Sequence, residues 1–83
     1  MRHTEQWITD WFAKISKLPE GFKFQNYFEL GLIDSFGVLE LIDDLETEFG
    51  IKFSEQHFQD RRFASVSGLT EIVSELLEDK AEL

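Results

Sequence analysis

Cysteine is absent from these 83 residues, which excludes a disulfide framework and any thiolate metal site. A chain this short builds one core, so 1–83 is read as a single, free-standing and monomeric domain with its last few residues frayed. No segment has the apolar length of a signal peptide or a membrane span, and a cytoplasmic protein without membrane insertion is expected. Basic residues are scarce. Eight of them against seventeen acidic ones give a formal charge of −9, which repels nucleic acid and anionic membranes. Arg61-Arg62 is too small a patch to reverse this, and is expected to pair with acids such as Asp60. Histidine occurs only at His3, read as terminal, and His57, read as surface or half-buried, with no Ser-Asp arrangement near either. Ser35 has Ile33 where a nucleophile elbow has glycine. Asp43-Asp44-Leu45-Glu46 lacks the alternating ligands and central glycine of a calcium loop. Neither a catalytic residue nor a metal site is expected.

What is present is well organised. The apolar content of 42%, including nine Phe, is enough for a packed core. Trp7, Ile8, Trp11, Phe12 and Ile15 recur at helical spacing behind Thr4, an N-cap residue. They predict a first helix over 4–17, stopped near Pro19 and Gly21, with Lys14 and Lys17 in its last turn and both Trp in the core. Residues 18–33 show no clean period and read as a long ordered loop, held down by Phe22, Phe24, Tyr27 and Phe28. A second helix is predicted over 34–49, with Gly50 as its C-cap glycine. Ser54 would cap a short turn reaching Phe58. A last helix carries Val66, Leu69, Ile72, Val73, Leu76 and Leu77 behind Ser65 or Ser67. Ile51-Lys52-Phe53 alternates but is too short for a sheet. The fold class is all-α: a bundle of three main helices plus one short helix, with a long loop between helices 1 and 2.

The second helix has two faces. At about 100° per residue, Val38, Leu41, Ile42, Leu45 and Phe49 fall in one arc of about 100° and form the core stripe. Phe36 and Leu39 lie off it, beside Glu40, Asp43 and Thr47, with Asp44, Glu46 and Glu48 extending an acidic rim. Either the loop covers Phe36, or this is a docking face with apolar contacts for affinity and acids for steering. Gly37 costs roughly 1 kcal/mol relative to Ala inside a helix. It is either tolerated or leaves room for a bulky group near Ser35.

The run Gly31-Leu32-Ile33-Asp34-Ser35-Phe36 resembles the attachment motif of the acyl and peptidyl carrier family. The similarity continues through Leu39-Glu40-Leu41 and Phe49-Gly50-Ile51 to Phe63-Ala64-Ser65-Val66. The resemblance implies an acyl-carrier-like bundle in which Ser35 receives 4′-phosphopantetheine from coenzyme A, through a phosphopantetheinyl transferase. Asp34 can cap the first turn of the second helix; the resemblance also implies that it helps hold the metal ion during transfer, and that Phe36, Leu39, Glu40 and Asp43 bind partners. Those partners would be the transferase, an acyl- or aminoacyl-loading ligase, and downstream synthases or transferases. The arm ends in its own thiol, so a chain without cysteine can carry thioesters. Where primary fatty-acid carriers read Leu-Gly, one residue, then Asp-Ser-Leu-Asp, here Leu32-Ile33 separate Gly31 from Asp34, and Phe36-Gly37 follow Ser35. That variant is more similar to stand-alone carriers loaded by an adenylating ligase, D-alanyl, aminoacyl or peptidyl, or to specialised lipid and polyketide carriers. An unmodified helical interaction module would share the same helix plan. Apolar cargo is expected to enter a cavity, closed when empty, walled by Phe28, Ile33, Leu39, Ile42, Val66, Leu69 and Ile72.

Overall fold

Apolar residues at helical spacing draw the chain into α1 (Thr4–Ala13), α2 (Ser35–Phe49), α3 (Glu55–Gln59) and α4 (Val66–Ala81), with 3-10 turns at Phe22–Phe24 and Arg61–Ala64. The structure is a computed structural model describing residues 4–81, with side chains described for 4–79. His3 and the C-terminal residues expected to fray, 82–83, lie outside the described residues. Among the described residues there is no strand, and no helix is long and apolar enough to cross a membrane. The all-helical plan with a long first loop is the one expected from the sequence.

The first helix is shorter than its apolar period suggests. The regular helix ends at Ala13, and the N–H groups of Ile15 and Ser16 both turn back to the Phe12 carbonyl, at 3.1 and 3.0 Å, in one closing turn that does not continue. Lys14 and Lys17 therefore lie beyond α1 rather than in its last turn. Ile15, expected in the core, is 55% exposed. Ile8 and Phe12 are fully buried, and the two Trp, half-buried, tie α1 to α2. Trp7 meets Phe49 edge-on at 5.6 Å between ring centroids. The Trp11 indole N–H donates to Asp44 Oδ2 at 2.8 Å.

Residues 18–33 are ordered by side chains, as an aromatic-rich loop requires. Asn26 Oδ1 accepts from the N–H groups of Phe28 and Glu29, closing a local turn. Phe22 and Tyr27 are buried, whereas Phe24 points to solvent, against expectation. Tyr27 fastens the loop to the Arg61–Ala64 turn twice. Its N–H donates to the Ala64 carbonyl at 2.9 Å, and its hydroxyl donates to the Phe63 carbonyl.

That turn is pressed against the start of α4. A Cβ on Gly68 would stand 2.1 Å from the Arg62 carbonyl oxygen and 2.6 Å from its Cα, so only glycine permits this approach. Ser65 caps α4 by accepting the Gly68 N–H at 3.1 Å. Arg62 then spans back to α4, with Nη1 2.6 Å from Glu75 and Nη2 2.9 Å from Asp60. Its hydrogen bonds hold both carboxyls below the usual carboxylate range. The cluster is open to solvent and orients the turn more than it stabilises it.

Replacing Gly68 by Ala should therefore destabilise by about 1–3 kcal/mol, although Ala is the better helix former. Chemical denaturation measures this, and an unchanged midpoint would show that the turn can withdraw at little cost. Tyr27 supplies a second check, because it is the chain's one tyrosine. Burial raises its phenol far above the ordinary value of 10.0. The unfolded chain releases this proton near that value while the folded chain keeps it, so stability falls as pH rises past about 10. Phenolate absorbance should appear only together with loss of helix signal. Ionisation near pH 10 with the fold intact would contradict the burial.

Candidate functional site

The start of α2 is a change from buried to exposed chain within three residues. Leu32 and Ile33 are buried, and the Leu32 N–H donates to the Tyr27 carbonyl at 3.0 Å. Asp34 is extended, and its Oδ1 accepts the Gly37 N–H at 2.8 Å, which is the N-cap anticipated from the sequence. Helical bonding begins with Val38 N–H to the Asp34 carbonyl, at 2.9 Å. Ser35 is thereby the first residue of an exposed helix end, with its side chain in solvent. At the other end Gly50 takes φ 65°, the left-handed cap conformation expected of it.

Gly37 belongs to this junction for a reason neither sequence reading anticipated. A Cβ there would meet Ile33 Cγ1 at 2.8 Å and Asp34 Oδ1 at 3.3 Å. The chain's own Ile33 occupies the space, and the glycine lets Ile33 tuck beneath the first turn while the cap closes over it.

The helix end can hold an anion. Among the described residues, the N–H groups of Ser35 and Phe36 receive no acceptor, while Asp34 takes that of Gly37. Two free N–H groups and the positive end of the helix dipole favour a phosphate ester on the Ser35 hydroxyl. The adjacent Asp34 carboxylate opposes it, but that charge is partly spent on its own cap bond. The residues present fit a phosphodiester.

Around the helix, the outer face is open. Phe36 is 81% and Leu39 62% exposed, and Glu40, Asp43 and Thr47 are exposed beside them, so the loop does not cover Phe36. Two rim acids have internal duties instead. Asp44 accepts from Trp11, and Glu46 Oε2 accepts the Phe53 N–H at 2.9 Å, tying the chain after α2 back onto it. Trp11 is 33 residues from Asp44, and Phe53 lies beyond the helix end, seven residues from Glu46, so the helical pattern reveals neither.

The residues expected to wall an interior cavity divide. Ile33, Ile42, Val66, Leu69 and Ile72 are buried. Leu39, expected both there and on the partner face, lies on the outer face and is no interior wall. Phe28 is 39% exposed and meets Tyr27 at a tilt of 55°, 5.0 Å between ring centroids. A feature absent from the sequence reading lies beside Ser35: a depression of about 370 Å³ lined by Ile15, Gly31, Leu32, Ile33, Asp34 and Gly37. An early end to α1 forms its rim at Ile15, and the sequence pattern of α1 points the other way.

The sequence matches the family model described as the phosphopantetheine attachment site over residues 6–73, which spans α2 with both of its caps and runs into α4. The chain belongs to that family. It is a phosphopantetheine carrier, and carrier domains of this family are non-catalytic acceptors of covalently bound 4′-phosphopantetheine. Searches of curated proteins and of solved structures returned no match.

For this carrier, exposure of the outer face of α2 has a direct consequence. Replacing Glu40 and Asp43 together by Lys should shift stability by no more than about 0.5 kcal/mol per site, since neither contributes to the core. Thermal and denaturant unfolding would check this. A loss comparable to that of a buried Leu would mean the face is structural.

Proposed function

We propose that Ser35 is the attachment residue, and that the chain carries acyl or aminoacyl groups as thioesters between partner enzymes. The observation carrying this reading is an exposed hydroxyl at the first position of a capped helix, inside the matched family segment and beside two free N–H groups. When bound, the arm supplies a terminal thiol that holds a carboxylic acid as a thioester. The chain's own residues position its root. Asp34 fixes the helix start, buried Ile33 anchors the strand of chain leading to it, and the Ser35 and Phe36 N–H groups face the phosphate.

In this reading Phe36 and Leu39 give partners an apolar contact, while Glu40 and Asp43 steer basic docking surfaces towards it. The partners proposed are a phosphopantetheinyl transferase, a loading ligase and downstream synthases or transferases. An aminoacyl or other polar cargo is the second reading. It needs no entry among Val66, Leu69 and Ile72, which are fully buried in the chain without cargo. Each buried CH₂ gains roughly 0.8 kcal/mol, but entry among Ile33, Ile42, Val66, Leu69 and Ile72 would first have to displace α4.

Incubation with coenzyme A and a broad-specificity transferase should add the mass of one phosphopantetheinyl group to the parent chain and none to a folded Ser35→Ala variant. The Glu40→Lys, Asp43→Lys double variant should be modified or loaded much more slowly, with the deficit largest at low salt. Mass gain in Ser35→Ala would overturn the assignment. Undiminished rates in the charge-reversed variant would overturn the docking face.

A further inference from the structure

We infer that the depression between the end of α1 and the start of α2 seats the pantetheine portion of the carrier's own arm, an inference that rests on Ser35 being its point of attachment. Asp34, the residue before Ser35, and Gly37, two residues after it, both line the depression, which brings it within reach of an arm rooted at Ser35. Its volume of about 370 Å³ lies within the range of about 300–1,000 Å³ typical of small-molecule sites.

The lining selects for chemistry. Leu32 and Ile33 form an apolar floor and Ile15 an aliphatic rim, left on the surface because α1 ends early. Asp34 is the one charged residue of the lining, and its Oδ1 is already engaged by Gly37. Within the described chain, the carbonyl oxygens of Gly31, Leu32 and Ile33 accept no hydrogen bond. A Cβ on Gly31 would have no atom within 4 Å, so that side stays open. Such a site accepts a neutral, chain-like ligand with an aliphatic branch and amide N–H donors, and disfavours a carboxylate or phosphate. Pantetheine has a gem-dimethyl branch and two secondary amides. The phosphate stays at the helix end, while tethering raises the local concentration of the rest. The seat is distinct from the outer face of α2, which stays free for partners, and from the buried residues of α4.

Intact mass first establishes the holo state of the full chain, and nuclear magnetic resonance then compares it with the apo state. The expected result is nuclear Overhauser contacts between the gem-dimethyl protons and the Ile15 methyls, with amide shifts at Ile15, Gly31, Leu32 and Ile33. In holo Ile15→Glu the arm-dependent amide shifts at Leu32 and Ile33 should be lost. Holo Gly31→Asn should lose them too, because Asn tolerates the positive φ of 73° there and fills the opening. A confirmed mass gain with perturbations confined to Asp34, Ser35 and Phe36, or with contacts to Val66, Leu69 or Ile72 instead, would overturn the seat alone. Failure to gain mass would overturn the seat together with the attachment reading beneath it.

Discussion

The hydrogen bond from Gly37 N–H to Asp34 Oδ1 is the constraint on which the functional end of the molecule depends. It decides where α2 begins, and hence that Ser35 is a first helical residue instead of one buried a turn inside. The bond needs Asp34 extended above a buried Ile33, and Ile33 fits only because position 37 has no Cβ. Cap, glycine and buried anchor are one unit. An apolar residue is pulled in, a carboxylate closes the turn, and the next side chain is left in solvent. This local unit makes a small helical bundle a support for a prosthetic arm.

The rest of the bundle keeps that unit in place. Tyr27 joins the loop that delivers Ile33 to the Arg61–Ala64 turn, and the turn lies on α4 because Gly68 admits its backbone. Trp7 and Trp11 hold α1 against the far half of α2. Where these fastenings touch α2 they use its last turns, at Asp44 and Phe49. The outer face from Phe36 to Thr47 has no structural duty beyond helicity, so it can be shaped for partners.

How far the sequence revealed this depends on the range of the physics. Both caps of α2 were legible because Asp before a helix and Gly after it act within one turn. Its core stripe was legible because burial of Leu41, Ile42, Leu45 and Phe49 follows a single period. The end of α1 was not, since Ile15 continues the apolar period past Ala13, the last helical residue. Asp44 and Glu46 read as rim charges, yet they are bonded to Trp11 and Phe53, contacts that exist only after folding. Leu39 could be placed off the stripe by geometry, but not simultaneously inside a cavity. A glycine within a helical period at 37 or 68 signals close approach, and only the structure says what approaches.

Locating the modification within the chain tests the central claim most directly. Trypsin cleavage after Lys23 and Lys52 isolates residues 24–52, in which Ser35 is the one serine. Fragmentation of that peptide from the loaded protein should place the phosphopantetheinyl mass on Ser35. Finding it on a peptide carrying Ser16, Ser54, Ser65, Ser67 or Ser74, or on none, would contradict the account.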